Sequence, residues 1–228
     1  MKISSEFSKN AKDYNSYNII QDEVIRKLLS DLEHKPKKIL DLGCGSGALC
    51  KKIDWNYNHF IGVDFAAGML ELHPKSKKIE CINGDFNDEK LFENLLAYQY
   101  EHVFSASALQ WAENLEDVFK NIKLLNAPVS LAIFTSGTFT TLNKTASLEP
   151  LLRTSKTIKN LSDKYFNANF EVIQYKLEFD SVRDMFRYIK KSGVSGSRNV
   201  LDYKQTKKLM KEYPLNHLEF EVAFITSR

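Results

Sequence analysis

The chain has 228 residues, of which 43% are hydrophobic, and its net charge is +3. This length suits one substantial domain with its own core, and so small a charge does not indicate a nucleic-acid binder. No run approaches the ~20 apolar residues of a membrane span, and residues 1–8 lack the apolar core of a signal peptide. Cys44, Cys50 and Cys81 have neither disulfide nor zinc spacing. We therefore expect a cytoplasmic, single-domain protein without a metal site.

The first 35 residues precede the first predicted strand and should form a helical cap. Residues 7–18 are polar with interspersed aromatics, among them Tyr14, and residues 19–32 repeat apolar side chains at helical spacing. Tyr14 either faces a bound ligand or packs this helix onto the sheet. The sequence leaves both roles open.

Residues 39–47, ILDLGCGSG, are the centre of the predicted fold. A short apolar run contains Asp41 and passes into Gly43, Gly45 and Gly47, which is typical of a buried parallel strand leading into a tight turn and a helix. Glycine lets the backbone turn sharply and lets a ligand approach without a Cβ in the way. The turn also fits the dinucleotide pattern G-x-G-x-x-A, but a carboxylate close before it would repel a pyrophosphate. Asp41 therefore favours a cationic ligand.

Two further acids follow predicted strands. Residues 60–63 predict a second strand ending at Asp64, and residues 79–83 predict a third, followed by Gly84 and Asp85. Because the carboxyl ends of parallel strands line one crevice, these acids and Asp41 should converge there. S-adenosylmethionine would satisfy all three, since it carries an ammonium group, a ribose and an adenine amino group.

A fourth strand is predicted at Val103 and Phe104, and the loop after it is the second informative stretch. Residues 105–115, SASALQWAENL, should lie at the switch point of the sheet, where substrate and cofactor meet. Gln110 and Trp111 are unusual in a plain connection, because each carries a polar group that needs a partner. They are either part of a substrate wall or packing residues.

The remaining elements complete a single domain. Helices are predicted over residues 48–53, 88–98 and 118–125, and a central, almost wholly apolar strand over residues 128–135. Residues 136–168 are interpreted as a helical substrate lid. Residues 169–228 should complete the sheet, with strands over 170–179 and 218–225 and helices over 181–191 and 203–212, the first capped by Ser181.

Three motifs, DLGCGSG, VDFAAGML and GDF, together resemble those of class I S-adenosylmethionine-dependent methyltransferases over residues 37–135. The resemblance implies an α/β fold with a doubly wound, mostly parallel, seven-stranded Rossmann-like sheet, an N-terminal helical cap that closes over the cofactor and a helical insertion after strand five. The resemblance assigns cofactor contacts to Asp41, Gly43, Cys44, Gly45, Gly47, Asp64, Phe65, Met69, Asp85, Phe86 and Ser105. For Met69, a place in the core is the alternative role.

Segments outside this core resemble one subfamily, the malonyl-acyl-carrier-protein O-methyltransferases of biotin synthesis. They are FSKNAKDYNSYNIIQ, SASALQWAENL, FTSGTFTTL and MFRYIKKSGVSGS. The chain departs from the subfamily pattern at Ala106, Val194 and Ser195. The resemblance implies methyl transfer to the free carboxylate of a malonyl thioester on acyl carrier protein or coenzyme A, with neither nucleic acid nor membrane as a partner. Its implied substrate residues are Tyr14, Lys190, Gln110 and Trp111.

Charge is unevenly spread along the chain. Residues 151–213 hold fourteen lysines and arginines against seven acids, a larger surplus than that of the whole chain. This stretch either docks an acidic carrier protein or forms a solvated face. Lys190 is likewise either a substrate donor or a surface residue, and two rival functions stay open: a methyltransferase for another small acceptor, and a non-catalytic S-adenosylmethionine-binding protein.

Overall fold

The computed structural model describes residues 18–192 and 203–227. Its strands are β1 Lys38–Leu42, β2 His59–Asp64, β3 Ile79–Asn83, β4 His102–Ala106, β5 Val129–Phe134, β6 Ala168–Glu178 and β7 His217–Ser227. Within the described residues they form one seven-stranded sheet in the order β3-β2-β1-β4-β5-β7-β6. Strands β1 to β5 pair in parallel, and β7 runs antiparallel to both β5 and β6. The predicted fold class is confirmed.

Helices alternate with the strands, as a parallel sheet requires. They are α1 Ile19–Ser30, α2 Ala48–Lys52, α3 Ala67–Leu70, α4 Glu89–Leu95, α5 Leu115–Leu124, α6 Thr140–Ala146, α7 Ser155–Tyr165, α8 Val182–Ser192 and α9 Tyr203–Glu212. A short 3-10 helix, Leu109–Trp111, follows β4. Among the described helices, none is long and apolar enough to cross a bilayer.

The two faces of the sheet bury different helices. Apolar residues of α4, α5 and α7, including Phe92, Phe119 and Ile158, pack on one face. The other face is covered by α1, α2 and α8, with Val24 and Leu49 among the buried side chains. Strand β5 is buried along its whole length, because it is covered on both faces.

The predicted N-terminal cap and the predicted lid both contain helices that pack on the sheet. Helix α1 buries Ile20, Val24 and Leu28, the apolar positions of the predicted cap. The predicted lid contains α6 and α7, and Ile158 of α7 belongs to the main core. Cap closure and lid function therefore stay predictions. The predicted N-cap of α8 is confirmed, because the Ser181 hydroxyl accepts a hydrogen bond from the Asp184 amide at 3.1 Å.

Strand β7 starts at the sheet edge where the parallel strands end. Val222 pairs with Phe134, the last residue of β5, so the first residues of β7 extend beyond that strand. Helix α9 leads into β7 at this edge, and α6 leaves β5 there. The same edge carries the glycine turn after β1.

Candidate functional site

The turn after β1 is held against the end of β2. The amides of Gly43 and Cys44 both donate to the Val63 carbonyl, at 2.8 and 3.0 Å. Gly43 has a φ of +75°, and a Cβ built there would lie 2.1 Å from the Cβ of Ala108. The turn therefore needs glycine at this position for its backbone conformation and for its close approach to the segment after β4.

Asp64 fixes the glycine turn from the neighbouring strand. One carboxylate oxygen accepts the Gly45 amide at 2.9 Å, and the other accepts the Ala66 amide at 2.8 Å. Burial raises the pKa of Asp64, although these two hydrogen bonds act in the opposite direction. Each oxygen still has acceptor capacity, so Asp64 can hold the turn and accept from a ligand at once.

Asp41 is the most deeply buried acid of the site. Its side chain is 1% exposed, and Oδ1 has no hydrogen-bond partner in the described part of the chain. Burial, followed by the nearby charge of Asp64, raises its pKa to about 8. A cation bound against Asp41 would relieve both effects, because an opposite charge favours the ionised carboxylate.

These residues line a cavity of about 230 Å³ at the carboxyl edge of the sheet. Its wall at the first turn comprises Asp41, Gly43, Cys44 and Gly45. Burial raises the pKa of the Cys44 thiol, so this side chain is a neutral, apolar part of the wall.

The remaining wall comes from the ends of β2 and β3 and from the loop after β4. It includes six further residues that were predicted from the sequence: Asp64, Phe65, Met69, Asp85, Phe86 and Trp111. The structure thus brings the three predicted acids together around one cavity. Phe86 and Trp111 add aromatic surface that suits a flat ring.

Three polar side chains in the wall each have a buried atom without a partner, and none of the three was predicted as a site residue. Asn18 Oδ1, Gln21 Oε1 and Ser107 Oγ are buried and have no partner among residues 18–192 and 203–227. Buried polar atoms normally have a hydrogen-bond partner, so this group indicates a ligand with several donors. The amides come from the start of α1, and Ser107 has a φ of +64°. The helical spacing that predicts α1 depends only on its apolar residues, so it gives no indication that Asn18 and Gln21 face a ligand.

Other predicted residues lie behind the cavity wall. Ser105 is fully buried, and its hydroxyl donates to the Leu42 carbonyl at 2.7 Å. Gln110 donates through Nε2 to the Ser107 carbonyl at 2.6 Å. A Cβ on Gly47 would lie 2.5 Å from Pro74 Cδ, so this glycine makes room for protein atoms. Ser105 thus ties β4 to β1, and Gln110 and Gly47 support the surrounding turns. Direct ligand contacts of Ser105, Gln110 and Gly47 stay predictions.

Two predicted substrate residues cannot be placed in the site. Tyr14 lies outside the described residues. Lys190 belongs to α8, but only its backbone is described. The expectation that both reach the substrate carboxylate stays a prediction.

The loop after β3 is joined to the loop after β4 at the cavity rim. Asp85 Oδ1 accepts from the backbone amide of Asn87 at 2.9 Å and from its Nδ2 at 2.8 Å. Asn87 Oδ1 in turn accepts the Glu113 amide at 2.8 Å. Asp85 is exposed, so it stands at the mouth of the cavity whereas Asp41 stands at its base.

Arg153 connects the segment after β5 to the Gln110–Trp111 loop. Its guanidinium donates to the carbonyls of Gln110 at 3.4 Å, Ala112 at 2.7 Å and Glu113 at 3.0 Å. No acid pairs with Arg153 within the described ranges. These carbonyls lie at and just after the end of the 3-10 helix, where carbonyl groups lack a partner within the helix. One planar guanidinium donates to all three and holds the loop that presents Trp111 to the cavity.

We expect Arg153→Gln to loosen this loop and to lower the free energy of unfolding by about 1–3 kcal/mol, because three carbonyls, two of them in partly buried hydrogen bonds, lose a charged donor. In a Trp55→Phe background, where Trp111 is the remaining tryptophan, its emission should shift to the red and its acrylamide quenching should increase. The matched control is Arg187→Gln, which removes an exposed arginine paired with Asp184 and should cost less than about 1 kcal/mol. Equal Trp111 emission in the two variants would contradict the role given to Arg153.

The geometry describes one binding mode. A cation would meet Asp41 at the base, hydrogen-bond donors would meet Asp64 and the unpartnered oxygens, and a flat ring would meet Phe86 or Trp111. The described residues contain no group of three or more metal-ligating side chains. The acids, the unpartnered oxygens and the aromatic rings of the wall suit a cationic organic molecule.

Comparison with known proteins identifies the class. A family model described as a methyltransferase domain matches residues 39–128, the stretch from β1 to the residue before β5, which supplies most of the cavity wall. This stretch of the chain is thus similar to a methyltransferase domain. The predicted class of enzyme is confirmed, and the matched stretch contains Asp41, Asp64 and Asp85.

Similarity to individual proteins extends over most of the chain. The malonyl-[acyl-carrier protein] O-methyltransferase 2 of Ilyobacter polytropus is 28% identical, covering 86% of this chain and 81% of its own. The corresponding protein of Acetivibrio thermocellus is 28% identical, covering 99% and 93%. The resemblance to this group is confirmed.

Solved structures support the fold. The YcgJ protein of Bacillus subtilis superposes with a TM-score of 0.61 at 10% identity, covering 90% of this chain and 99% of its own. Phosphoethanolamine N-methyltransferase 2 of Haemonchus contortus, solved with S-adenosyl-L-methionine, superposes with a TM-score of 0.55 at 14% identity, covering 97% of this chain and 57% of its own. At such identities, the likeness concerns the fold of the domain alone.

Proposed function

We propose that this protein transfers the methyl group of S-adenosylmethionine to the free carboxylate of a malonyl thioester on acyl carrier protein. The product, a malonyl methyl ester, would serve as the disguised primer of the pimeloyl chain in biotin synthesis. The observation that carries the proposal is the buried, unpartnered carboxylate of Asp41 in the cavity of the methyltransferase domain. The choice of acceptor is supported by similarity to proteins named for this reaction over most of the chain.

The residues of the cavity fit S-adenosylmethionine. Asp41 would take its ammonium group, Asp64 its ribose hydroxyls, and Asp85 at the rim its adenine amino group, with Phe86 available to cover the ring. When bound, this molecule supplies an electrophilic methyl group on a sulfonium. The free oxygens of Asn18 and Gln21 support the assignment, because they offer acceptors for the remaining donors and place no positive charge in the cavity.

The acceptor needs little acid–base chemistry from the chain. A carboxylate with a pKa of about 4 is ionised at pH 7, so the protein has no proton to remove. Its residues have to orient the carboxylate and exclude water from it. Trp111 is available for the second task, and Arg153 keeps its loop in position. Tyr14 and Lys190 are the donors that we propose for orienting the carboxylate.

The test is methyl transfer from labelled S-adenosylmethionine to malonyl-acyl carrier protein. Acetyl-acyl carrier protein is the matched control, because it keeps the thioester and lacks the free carboxylate. We expect label on the malonyl species only, and label released as methanol by mild base, as an ester requires. Labelling of acetyl-carrier protein, or of neither species, would contradict the proposed acceptor.

A second pair of measurements separates the rival functions. Malonyl-coenzyme A and free dicarboxylic acids are offered under the same conditions. Methylation of a free acid or another small acceptor, without transfer to the carrier-bound malonyl group, would favour a methyltransferase of different specificity. Binding of S-adenosylmethionine without any transfer would favour a non-catalytic binding protein.

A further inference from the structure

Helix α9 has an exposed face made of lysines. The lysines stand at i, i+3, i+4 and i+7 of an α-helix, which places them on one side. They are Lys204, Lys207, Lys208 and Lys211, and all four are exposed. The opposite side of the helix buries Leu209, so the lysine face points away from the core.

Within the described part of the chain, one weak ion pair is all that neutralises this face. Lys208 Nζ lies 3.9 Å from a carboxylate oxygen of Glu212, and the other three lysines make no ion pair among residues 18–192 and 203–227. The helix has four lysines against one glutamate. That surplus of three is as large as the net charge of the entire chain, +3. Four like charges on one face repel one another, and an anionic surface would relieve this repulsion.

The lysine face lies at the same edge of the sheet as the cavity. Helix α9 is followed by β7, which starts beyond the end of β5 because Val222 pairs with Phe134. Helix α9 also contacts α6, the first helix after β5. The cavity opens among the loops that follow β1, β2 and β4, at the carboxyl ends of these parallel strands. A macromolecule on α9 is therefore on the side from which a tethered acceptor enters.

We propose that the lysine face of α9 is the docking surface for the acyl carrier protein that presents the malonyl group. The inference rests on the proposed function, and it adds where the partner binds. The carrier supplies an acidic surface, the lysines supply the complementary charge, and a flexible arm on the carrier brings the thioester to the cavity at the same edge.

The dimensions and composition of the face favour a small acidic protein over other anions. The ten residues of α9 are about 15 Å long at 1.5 Å per residue, which suits one short acidic element of a partner. A membrane-binding helix would add large apolar residues beside the lysines, and this face has none. A nucleic-acid binder would extend the basic surface over much more of the fold, whereas the chain as a whole is almost neutral.

The test reverses two lysines that have no ion-pair partner on the described part of the protein. Lys207→Glu with Lys211→Glu changes the net charge by four units and leaves the cavity untouched. We expect the KM for malonyl-acyl carrier protein to rise at least tenfold, while kcat/KM for malonyl-coenzyme A changes less than twofold. The Kd for unloaded holo-acyl carrier protein, measured by fluorescence anisotropy, should rise by a similar factor and lose most of its salt dependence.

The matched control is Lys75→Glu with Lys77→Glu. These two exposed lysines precede β3, the outermost strand on the side of the sheet away from β7, and have no ion pair in the described structure. The net charge changes by the same four units, so any long-range effect of total charge is reproduced. We expect KM and Kd for the carrier protein to change less than threefold.

The outcomes separate the docking surface from the proposed function. An unchanged Kd for holo-carrier protein in the Lys207/Lys211 variant, or an equal rise in the Lys75/Lys77 variant, would overturn the docking surface while methylation of malonyl thioesters stands. Loss of malonyl-coenzyme A turnover in the Lys207/Lys211 variant, at the melting temperature of the parent, would also overturn the docking surface. Absence of malonyl transfer in the parent, with tight and α9-dependent carrier binding, would overturn the proposed reaction and retain the surface. Failure of the parent to bind holo-carrier protein would overturn the surface.

Discussion

Replacing Asp41 by asparagine should stabilise the ligand-free protein at alkaline pH and weaken S-adenosylmethionine binding at least a hundredfold. Both effects have one cause, because the carboxylate is buried without a partner and its pKa is about 8. Without ligand, burying the negative charge is unfavourable. With a bound cation, the same charge becomes the attraction that holds it.

The pH dependence follows from the direction of this shift. The pKa of Asp41 is about 8 in the folded protein and about 4 in the unfolded chain. Between these values the folded state holds a proton that the unfolded state has released. The free energy of unfolding therefore falls as pH rises, by up to about 1.4 kcal/mol per pH unit. This contribution is fully present below the unfolded pKa and is lost as pH rises through the folded pKa.

Urea unfolding at pH 5 and pH 8 measures the effect. The stability of Asp41→Asn relative to the parent should increase by about 2–4 kcal/mol between these values, since asparagine does not titrate there. Asp85→Asn is the control, because it removes an exposed carboxylate from the same cavity and should leave the parent's pH slope in place. A parallel slope in the parent and in Asp41→Asn would contradict the assigned titration.

Calorimetry separates the cation from the rest of the ligand. At pH 7, binding of S-adenosylmethionine to the parent should release a proton, because the cation lowers the pKa of Asp41. Methylthioadenosine, which lacks both the ammonium and the sulfonium charge, should bind the parent and Asp41→Asn within about threefold of each other. Equal weakening for both ligands would indicate that asparagine had altered the shape of the cavity.

The second large effect is expected for Gly43→Ala. A Cβ at this position would lie 2.1 Å from the Ala108 Cβ, and φ is +75°, a conformation that disfavours L residues. The new atom cannot be accommodated by rotating a side chain, because its neighbour is itself a Cβ. We expect a loss of about 3 kcal/mol or more in the free energy of unfolding, measured by urea titration.

Gly45→Ala is the matched control in the same turn. Its φ is +54°, and the nearest atom to a new Cβ is the terminal methyl of Met69 at 3.3 Å, which can move. We expect this change to cost about 1–2 kcal/mol. Ala108→Gly introduced into the Gly43→Ala protein should restore part of the lost stability, giving a favourable coupling of the two changes. No coupling would show that the strain comes from the backbone conformation alone.

The glycine turn illustrates how a correct prediction can have an incomplete physical reason. The sequence predicts the turn, its glycines and the strand before it, because these depend on local backbone requirements. The proposed reason was that a ligand must approach the backbone. In the folded protein, the space at Gly43 is taken by Ala108 and the space at Gly47 by Pro74. Those contacts join residues distant in sequence, and no local pattern encodes them.

The sequence by itself determined the order of strands and helices along the chain and the position of three acids near the ends of strands. Apolar runs, glycine turns and helical spacing are local signals, and in a parallel sheet they imply that Asp41, Asp64 and Asp85 share one edge. The bounds predicted for β3 agree with those observed, Ile79–Asn83. The motifs DLGCGSG, VDFAAGML and GDF together were sufficient to predict a methyltransferase.

Only the tertiary structure decided which polar atoms in the loops face the cavity. Ser105 and Ser107 are two residues apart, yet one bonds to β1 and the other turns an unpartnered hydroxyl into the cavity. Likewise, Arg153 binds carbonyls some forty residues earlier in the chain. Loop side chains have no periodicity, and their directions depend on which distant backbone groups remain to be satisfied after the sheet has formed.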